Sequence, residues 1–267
     1  MKKLMFTAAA AFCGTVFALE SANVVGYTEV ARPAAFQNSC GGSMFTAVGN
    51  DSYSLADLTI AGPTTIANAR NNYIMFLQSG TAAKIDKNRT YWYWQGIWRV
   101  RTGANPAKDP QLTAEEAANI VVNAGEGFMC NFMHDTTKIM YAGQVITGNE
   151  NKTFSIARPA SYQNFVACNT AASAINLGQI TITGPSTIAN ARNNYIMFLQ
   201  SGTAAKIDKN RTYWYWQGIW RVRTGANPAK DPQLTAEEAA AINIAAGEGF
   251  MCNFMHDTTV LNMPTSL

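Results

Sequence analysis

The chain has 267 residues, 48% apolar and 14% charged, with a formal net charge of +3. That is apolar material for one or two cored domains, and a charge content well below the usual ~25%, a pattern of extracellular and assembling proteins. No concentrated basic patch exists to meet a phosphate backbone, which excludes nucleic acid as a partner.

The first residues, MKKLMFTAAAAFCGTVFALE, read as a signal peptide. Lys2 and Lys3 form the basic start, Leu4 to Phe17 the apolar stretch, and VFA at 16–18 the small-residue cleavage site. Cleavage is expected after Ala18; the competing reading is a buried N-terminal helix. Cys13 follows Phe12 rather than the small residue a lipid anchor requires, so it is expected to leave with the peptide. The mature chain then carries 18 basic and 17 acidic residues. No later apolar run has membrane length, so no membrane span is expected after signal removal. The expected location is extracellular or on the cell surface.

Short alternating apolar runs separated by Gly, Asn, Asp and Pro predict strands at 22–31, 43–47, 57–61, 73–77, 90–94 and 97–102. The last two form an aromatic stretch, RTYWYWQGIWRVRTG, at 89–103. Gln95–Gly96 between them predicts a two-residue hairpin that places Trp94 opposite Ile97, Tyr93 opposite Trp98, Trp92 opposite Arg99 and Tyr91 opposite Val100. Tyr91, Tyr93, Trp98 and Val100 make a core face. Trp92, Trp94, Ile97 and Arg99 make the other, which is either covered or a platform for sugar rings or a partner protein, with Arg99 stacked on Trp92. TAEEAA at 113–118 reads as a short helix with capping-box spacing from Thr113 to Glu116. Strands are expected again at 119–123, 127–132 and 138–146.

At a shift of 122 the chain repeats itself: residues 62–137 and 184–259 agree at 71 of 76 positions. The hairpin returns with Trp214, Trp216 and Arg221 in place of Trp92, Trp94 and Arg99. Where the copies differ, NIVVN at 119–123 against AINIA at 241–245, alternate positions stay apolar while their neighbours change, as in a strand with one buried face. DLTIA at 57–61 against QITIT at 179–183 behaves likewise. Looser similarity links ARPAAFQNSC at 31–40 with ARPASYQNFVAC at 157–168, and VVGYTEV at 24–30 with MYAGQVI at 140–146. These observations predict an all-β protein of two tandem β-sandwich or small β-barrel domains with minor short helices, at 19–140 and 141–267 after the leader at 1–18.

Four cysteines follow the leader, two per unit. Repeat symmetry in an exported chain favours bridges Cys40–Cys130 and Cys168–Cys252 over the two other connectivities. No pair has zinc-knuckle or redox spacing, so no metal or cofactor is expected. His134 and His256 stand alone in MHDTT settings and read as turn residues. AGEGF at 124–128 lacks the strand–helix context of a phosphate loop and reads as a turn into a strand. Glu115 and Glu116 adjoin and point apart, a poor arrangement for paired acid–base work. No nucleophile motif occurs, so the expectation is a non-enzyme. Sequons at Asn50, Asn88, Asn151 and Asn210 matter only in a host that glycosylates exported chains.

A short leader followed by SANVVGY at 21–27, and units each closing with AGEGF at 124–128 and 246–250, resemble secreted tandem-repeat β proteins of Verrucomicrobia- and Lentisphaerae-type bacteria. In that group Gly-x-Gly-Phe is followed by Trp; here Met129 and Met251 take that place. The resemblance implies export and tandem β architecture and no activity. Two functions are expected from the sequence as a whole. One is a structural subunit of an extracellular filament or surface layer, assembling head to tail as a homo-oligomer or polymer. The alternative is a polysaccharide-binding protein using the Trp/Arg face of each repeat. For the polymer, the dissimilar tail VLNMPTSL suggests that the second unit lacks a strand which the next chain's N-terminal strand supplies, or else that the tail caps a monomer.

Overall fold

In a computed structural model the described residues are 25–31, 38–47, 49–76, 90–146, 153–158, 163–198 and 212–265. The leader, its cleavage site and the sequons Asn88, Asn151 and Asn210 lie outside them; Asn50 is exposed. The protein is mostly β, every strand pair is antiparallel, and no barrel closes among the described residues.

The first unit comprises β1 (Val25–Ala31), β2 (Asn38–Gly42), β3 (Phe45–Thr46), β4 (Ser52–Ser54), β5 (Leu58–Ala61), α1 (Ile66–Arg70), β6 (Asn72–Met75), β7 (Thr90–Trp94), β8 (Ile97–Val100), α2 (Ala114–Ala118), β9 (Val121–Asn123), β10 (Gly127–Phe132) and β11 (Lys138–Val145). The second repeats this order without a counterpart of β3 among the described residues, with β12 (Thr153–Ala157), β13 (Asn164–Cys168), β14 (Ile175–Asn176), β15 (Thr181–Thr183), α3 (Ile188–Arg192), β16 (Asn194–Met197), β17 (Thr212–Trp216), β18 (Ile219–Val222), α4 (Ala236–Ala241), β19 (Asn243–Ile244), β20 (Glu248–Phe254) and β21 (Val260–Pro264). β11 runs through the 140/141 boundary because its partners β1, β3 and β5 all precede it.

Each unit is two-layered. In the first, β2-β10-β6-β7-β8 forms one layer, and β11 with β1, β3 and β5 forms the other, flanked by the β4–β9 pair. Alternation decides what lies between them: Ile74, Tyr91, Trp98 and Phe128 from the large layer meet Leu58, Ile60, Ile139 and Tyr141 from the small one. Ile196, Tyr213, Trp220 and Phe250 meet Ile180, Ile182, Leu261 and Met263 in the second unit.

The two large layers are one sheet of ten strands. β2 leaves its own unit to pair with β20, Cys40 opposite Gly249 and Gly41 opposite Glu248, while Glu126 bridges to Ala167 of β13. Gly42 N donates to Gly247 O at 3.0 Å and Cys168 N to Gly125 O at 2.9 Å. Exchanging equivalent residues of the two units turns each of these hydrogen bonds into the other, so the seam is a local two-fold. The outer ends of the sheet are closed from within, by Val100 N to Pro110 O and Leu112 N to Trp98 O, and by Val222 N to Pro232 O and Leu234 N to Trp220 O.

The strand register corrects three expectations. Asn38 lies opposite Asn131, and Asn164 opposite Asn253. Cys168 therefore occupies the position of Gly42, and Cys40 that of Val166; Cys40 and Cys168 are not equivalent. Second, VVGYTEV does not correspond to MYAGQVI. β1 corresponds to β12, since Tyr27 opposes Ala142 as Thr153 opposes Pro264. Third, the tail is not a missing strand, although β3 has no counterpart among the described residues of the second unit. The tail VLNMPTSL supplies β21, paired with β12 on one side and β15 on the other. Pro264 is tolerated because β15 pairs only with residues 260–262, so its missing N–H breaks no ladder on that side. The strand-donation argument for polymerisation loses its premise.

Candidate functional site

The aromatic hairpin has the predicted register, Trp94 opposite Ile97 through Tyr91 opposite Val100. Gln95 and Gly96 have φ of 48° and 84°, the two positive values of a type I′ turn, and Gln217 and Gly218 repeat them. Tyr91, Trp98 and Val100 are buried in the core, and Tyr93 leans on Trp98.

The opposite face is covered at Trp92 and Trp214, which are 0% exposed. Trp92 Nε1 donates to Asp109 Oδ2 at 3.0 Å, and Arg70 Nε donates to the same oxygen at 2.5 Å. Thr102 N and Oγ1 donate to Oδ1, at 2.9 and 3.0 Å, and Arg70 Nη2 donates to Gly103 O. Burial raises the carboxyl pKa of Asp109, but the hydrogen bonds from Arg70, Thr102 and Gly103 outweigh it and hold the pKa at about 2. Arg99 lies over Trp92 with its guanidinium carbon 5.4 Å from the ring centroid, and Gln111 turns its carboxamide oxygen to both Nη atoms. Asp231, Arg192, Trp214, Arg221 and Gln233 repeat the arrangement. Trp94 and Trp216 at the hairpin tips stay half-buried. Trp92 and Trp214 are sealed under Arg and Asp, so their rings are internal, and Trp94 and Trp216 are the partly exposed rings of this face.

Neither expected disulfide forms. Cys130 opposes Ser39 while Cys40 opposes Met129, so Cys130 points into the core and Cys40 to the outer face. Cys252 opposes Phe165 while Cys168 opposes Gly249, so Cys252 points into the second unit's core and Cys168 the other way, into the seam, where its Sγ lies 3.5 Å from Ser43 O. Strand parity separates the thiols of each pair, which no side-chain rotation overcomes. Burial pushes the thiols of Cys130 and Cys252 well up, and that of Cys168 to about 12.

AGEGF is a turn into β10 and also forms the seam. Glu126 is buried and accepts from Asn123 N and Nδ2 at 3.1 Å each. A Cβ on Gly125, whose φ is 74°, would lie 2.5 Å from Ile156 of the second unit. The His134 backbone N–H and the Thr137 hydroxyl both donate to buried Asn72 Oδ1, so MHDTT is a pinned turn. Glu116 closes its capping box on Thr113 N at 2.7 Å. No cluster of three His, Cys, Asp or Glu side chains of metal-binding geometry occurs among the described residues, nor a helix long and apolar enough to cross a membrane.

The ten-stranded sheet's outer face carries a row missed from sequence. Met75, Met129 and Cys40 lie side by side across three strands, and Met197, Met251 and Val166 continue it beyond the seam. A hollow of about 230 Å³ lies over Tyr73, Met75, Met129 and Asn131. The usable signal was the period-two spacing of NYIM and GFMCNF. Comparison with protein-family models, curated proteins and solved structures finds no match.

Proposed function

We propose that the protein is a secreted, non-enzymatic structural subunit of an extracellular filament or surface layer. The observation that carries this reading is the closed two-fold seam between near-identical units. A like-on-like contact uses each unit's seam face once and leaves no copy for another chain. This reading therefore assigns growth to surfaces other than that contact. Every other patch common to the two units is displayed twice. A subunit with two copies of one contact patch is bivalent, and bivalent subunits propagate. Met133 and Met255 are such a pair, 52% and 51% exposed at equivalent turns, and large exposed apolar side chains at equivalent sites suit a contact between copies.

Electron microscopy and light scattering on mature protein test this. The parent should form extended assemblies. Met133→Ser or Met255→Ser alone should stop growth at pairs, and the double variant should be monomeric. A parent that stays monomeric at high concentration removes the proposal. The export it presupposes is read by mass spectrometry of protein recovered outside the cell, which should begin near Leu19; an intact Met1 there contradicts it.

A further inference from the structure

The second unit holds a groove of about 450 Å³ between the tip of the β17–β18 hairpin, the 3-10 turn at 177–179 and the start of α4. The volume falls in the ~300–1,000 Å³ range of small-molecule sites. One wall is Tyr215, half-buried, its ring 5.2 Å from that of Trp220, whose indole is fixed by Nε1 donating to Ile180 O at 3.0 Å. The facing wall carries Asn176 and Gln179. Gln179 Oε1 accepts from Asn176 N at 2.9 Å, which holds the carboxamide and leaves its NH2 end for a ligand. Gly178 lies between them, where a Cβ would come 3.2 Å from Asn176 Oδ1 and 3.7 Å from Ala239 Cβ. None of the residues lining the groove is charged.

The same place in the first unit differs at three positions. Ser54, Ala56 and Asp57 replace Asn176, Gly178 and Gln179, while Tyr93 and Trp98 keep their ring contact at 5.2 Å. Ala56 puts a methyl group where Gly178 leaves space. Asp57 turns a neutral wall acidic, its Oδ2 accepting from Ser54 N and Oγ at 2.7 and 2.8 Å. Three changes in one turn, beside a hairpin that is otherwise identical, convert one groove lining into the other.

We propose that the second unit's groove binds a neutral saccharide, with one pyranose ring against Tyr215 and its hydroxyls on the carboxamides of Asn176 and Gln179. An aromatic ring suits the apolar C–H face of a sugar. Carboxamides both donate and accept, as hydroxyls do. Walls without charge give phosphates and carboxylates no counter-ion. Saccharide recognition thus belongs to the core-side aromatics at the hairpin tip, not to Trp92 and Trp214.

The full mature chain is titrated with cellohexaose, chitohexaose, xylohexaose, mannohexaose and maltohexaose, followed by calorimetry and intrinsic fluorescence. At least one should bind saturably. Tyr215→Ala should weaken it at least about tenfold. The triple variant Asn176→Ser, Gly178→Ala, Gln179→Asp should do the same, and it carries a turn that already folds in the first unit. Tyr93→Ala should leave binding unchanged. No saturable binding to any of the five, or parental affinity in the triple variant, overturns the proposal. Groove variants should assemble as the parent does, and Met133→Ser with Met255→Ser should bind sugar as the parent does, so this site and the assembly reading fail separately.

Discussion

Asp109 ties together four segments: α1 through Arg70, β7 through Trp92, and the loop at 102–103 through Thr102 and Gly103, all held from its own position after the 3-10 turn at 106–108. Its pKa falls from 3.8 to about 2 on folding. Because the folded value lies below the unfolded one, the stabilisation is complete above about pH 4 and is lost as pH falls through 2, on the order of 2 kcal/mol per site. Asp109→Asn leaves Arg70, with an 8% exposed side chain, charged and unpaired. It should cost about 3 kcal/mol in urea denaturation near neutral pH. Asp231→Asn should cost the same, and the two should add, since they sit in different units. The gap between parent and variant should shrink sharply at pH 2. An equal gap at pH 2 and pH 6 would show that the carboxylate's charge is not what holds these segments.

At the scale of elements, the sequence is legible wherever the cause is local. The hairpin register follows from two alternating runs around Gln95–Gly96, and α2 from Thr113 and Glu116 at capping distance. β5, β9, β10 and β11 follow from alternation. What covers an element is not legible in the same way. Trp92 is sealed by Asp109, 17 residues on, and Asp109 by Arg70, 39 residues back, so no window of the sequence shows that Trp92 is internal. α1 was missed because it is a single five-residue turn, marked only by Thr65 accepting from Asn68 N at 3.2 Å. The disulfides failed for a definite reason. Cys40 and Cys168 lie near each other in the looser similarity, but on the Gln-Asn at 37–38 and 163–164 they are two residues out of register. Parity within each strand pair, once the partners are known, forbids both bridges.

At the scale of the whole molecule, a duplicated unit that docks on its twin faces a constraint that neither unit meets alone. Near the local two-fold, a residue meets its own counterpart, so position 42 faces position 168. A Cβ on Gly42 would lie 2.5 Å from Cys168 Sγ and 2.6 Å from its Cβ. Two side chains do not fit, and the units differ here, Gly on one side and Cys on the other. Divergence at SCGG and FVAC beside near-identity over 62–137 is thus what a closed seam requires of at least this pair. Gly42→Ala should destabilise the protein by about 1–3 kcal/mol through overpacking. It should also loosen the coupling of the units, seen as a broadened or split unfolding transition. Adding Cys168→Gly removes both the Sγ and the Cβ and should recover much of that loss, a coupling of at least about 1 kcal/mol in a double-mutant cycle. Adding Cys168→Ala should not, because the Cβ at 2.6 Å remains. Full additivity of Gly42→Ala with Cys168→Gly, or equal rescue by Ala and Gly, would mean that the seam adapts without regard to this contact. The like-on-like geometry would then place no demand on the two sequences.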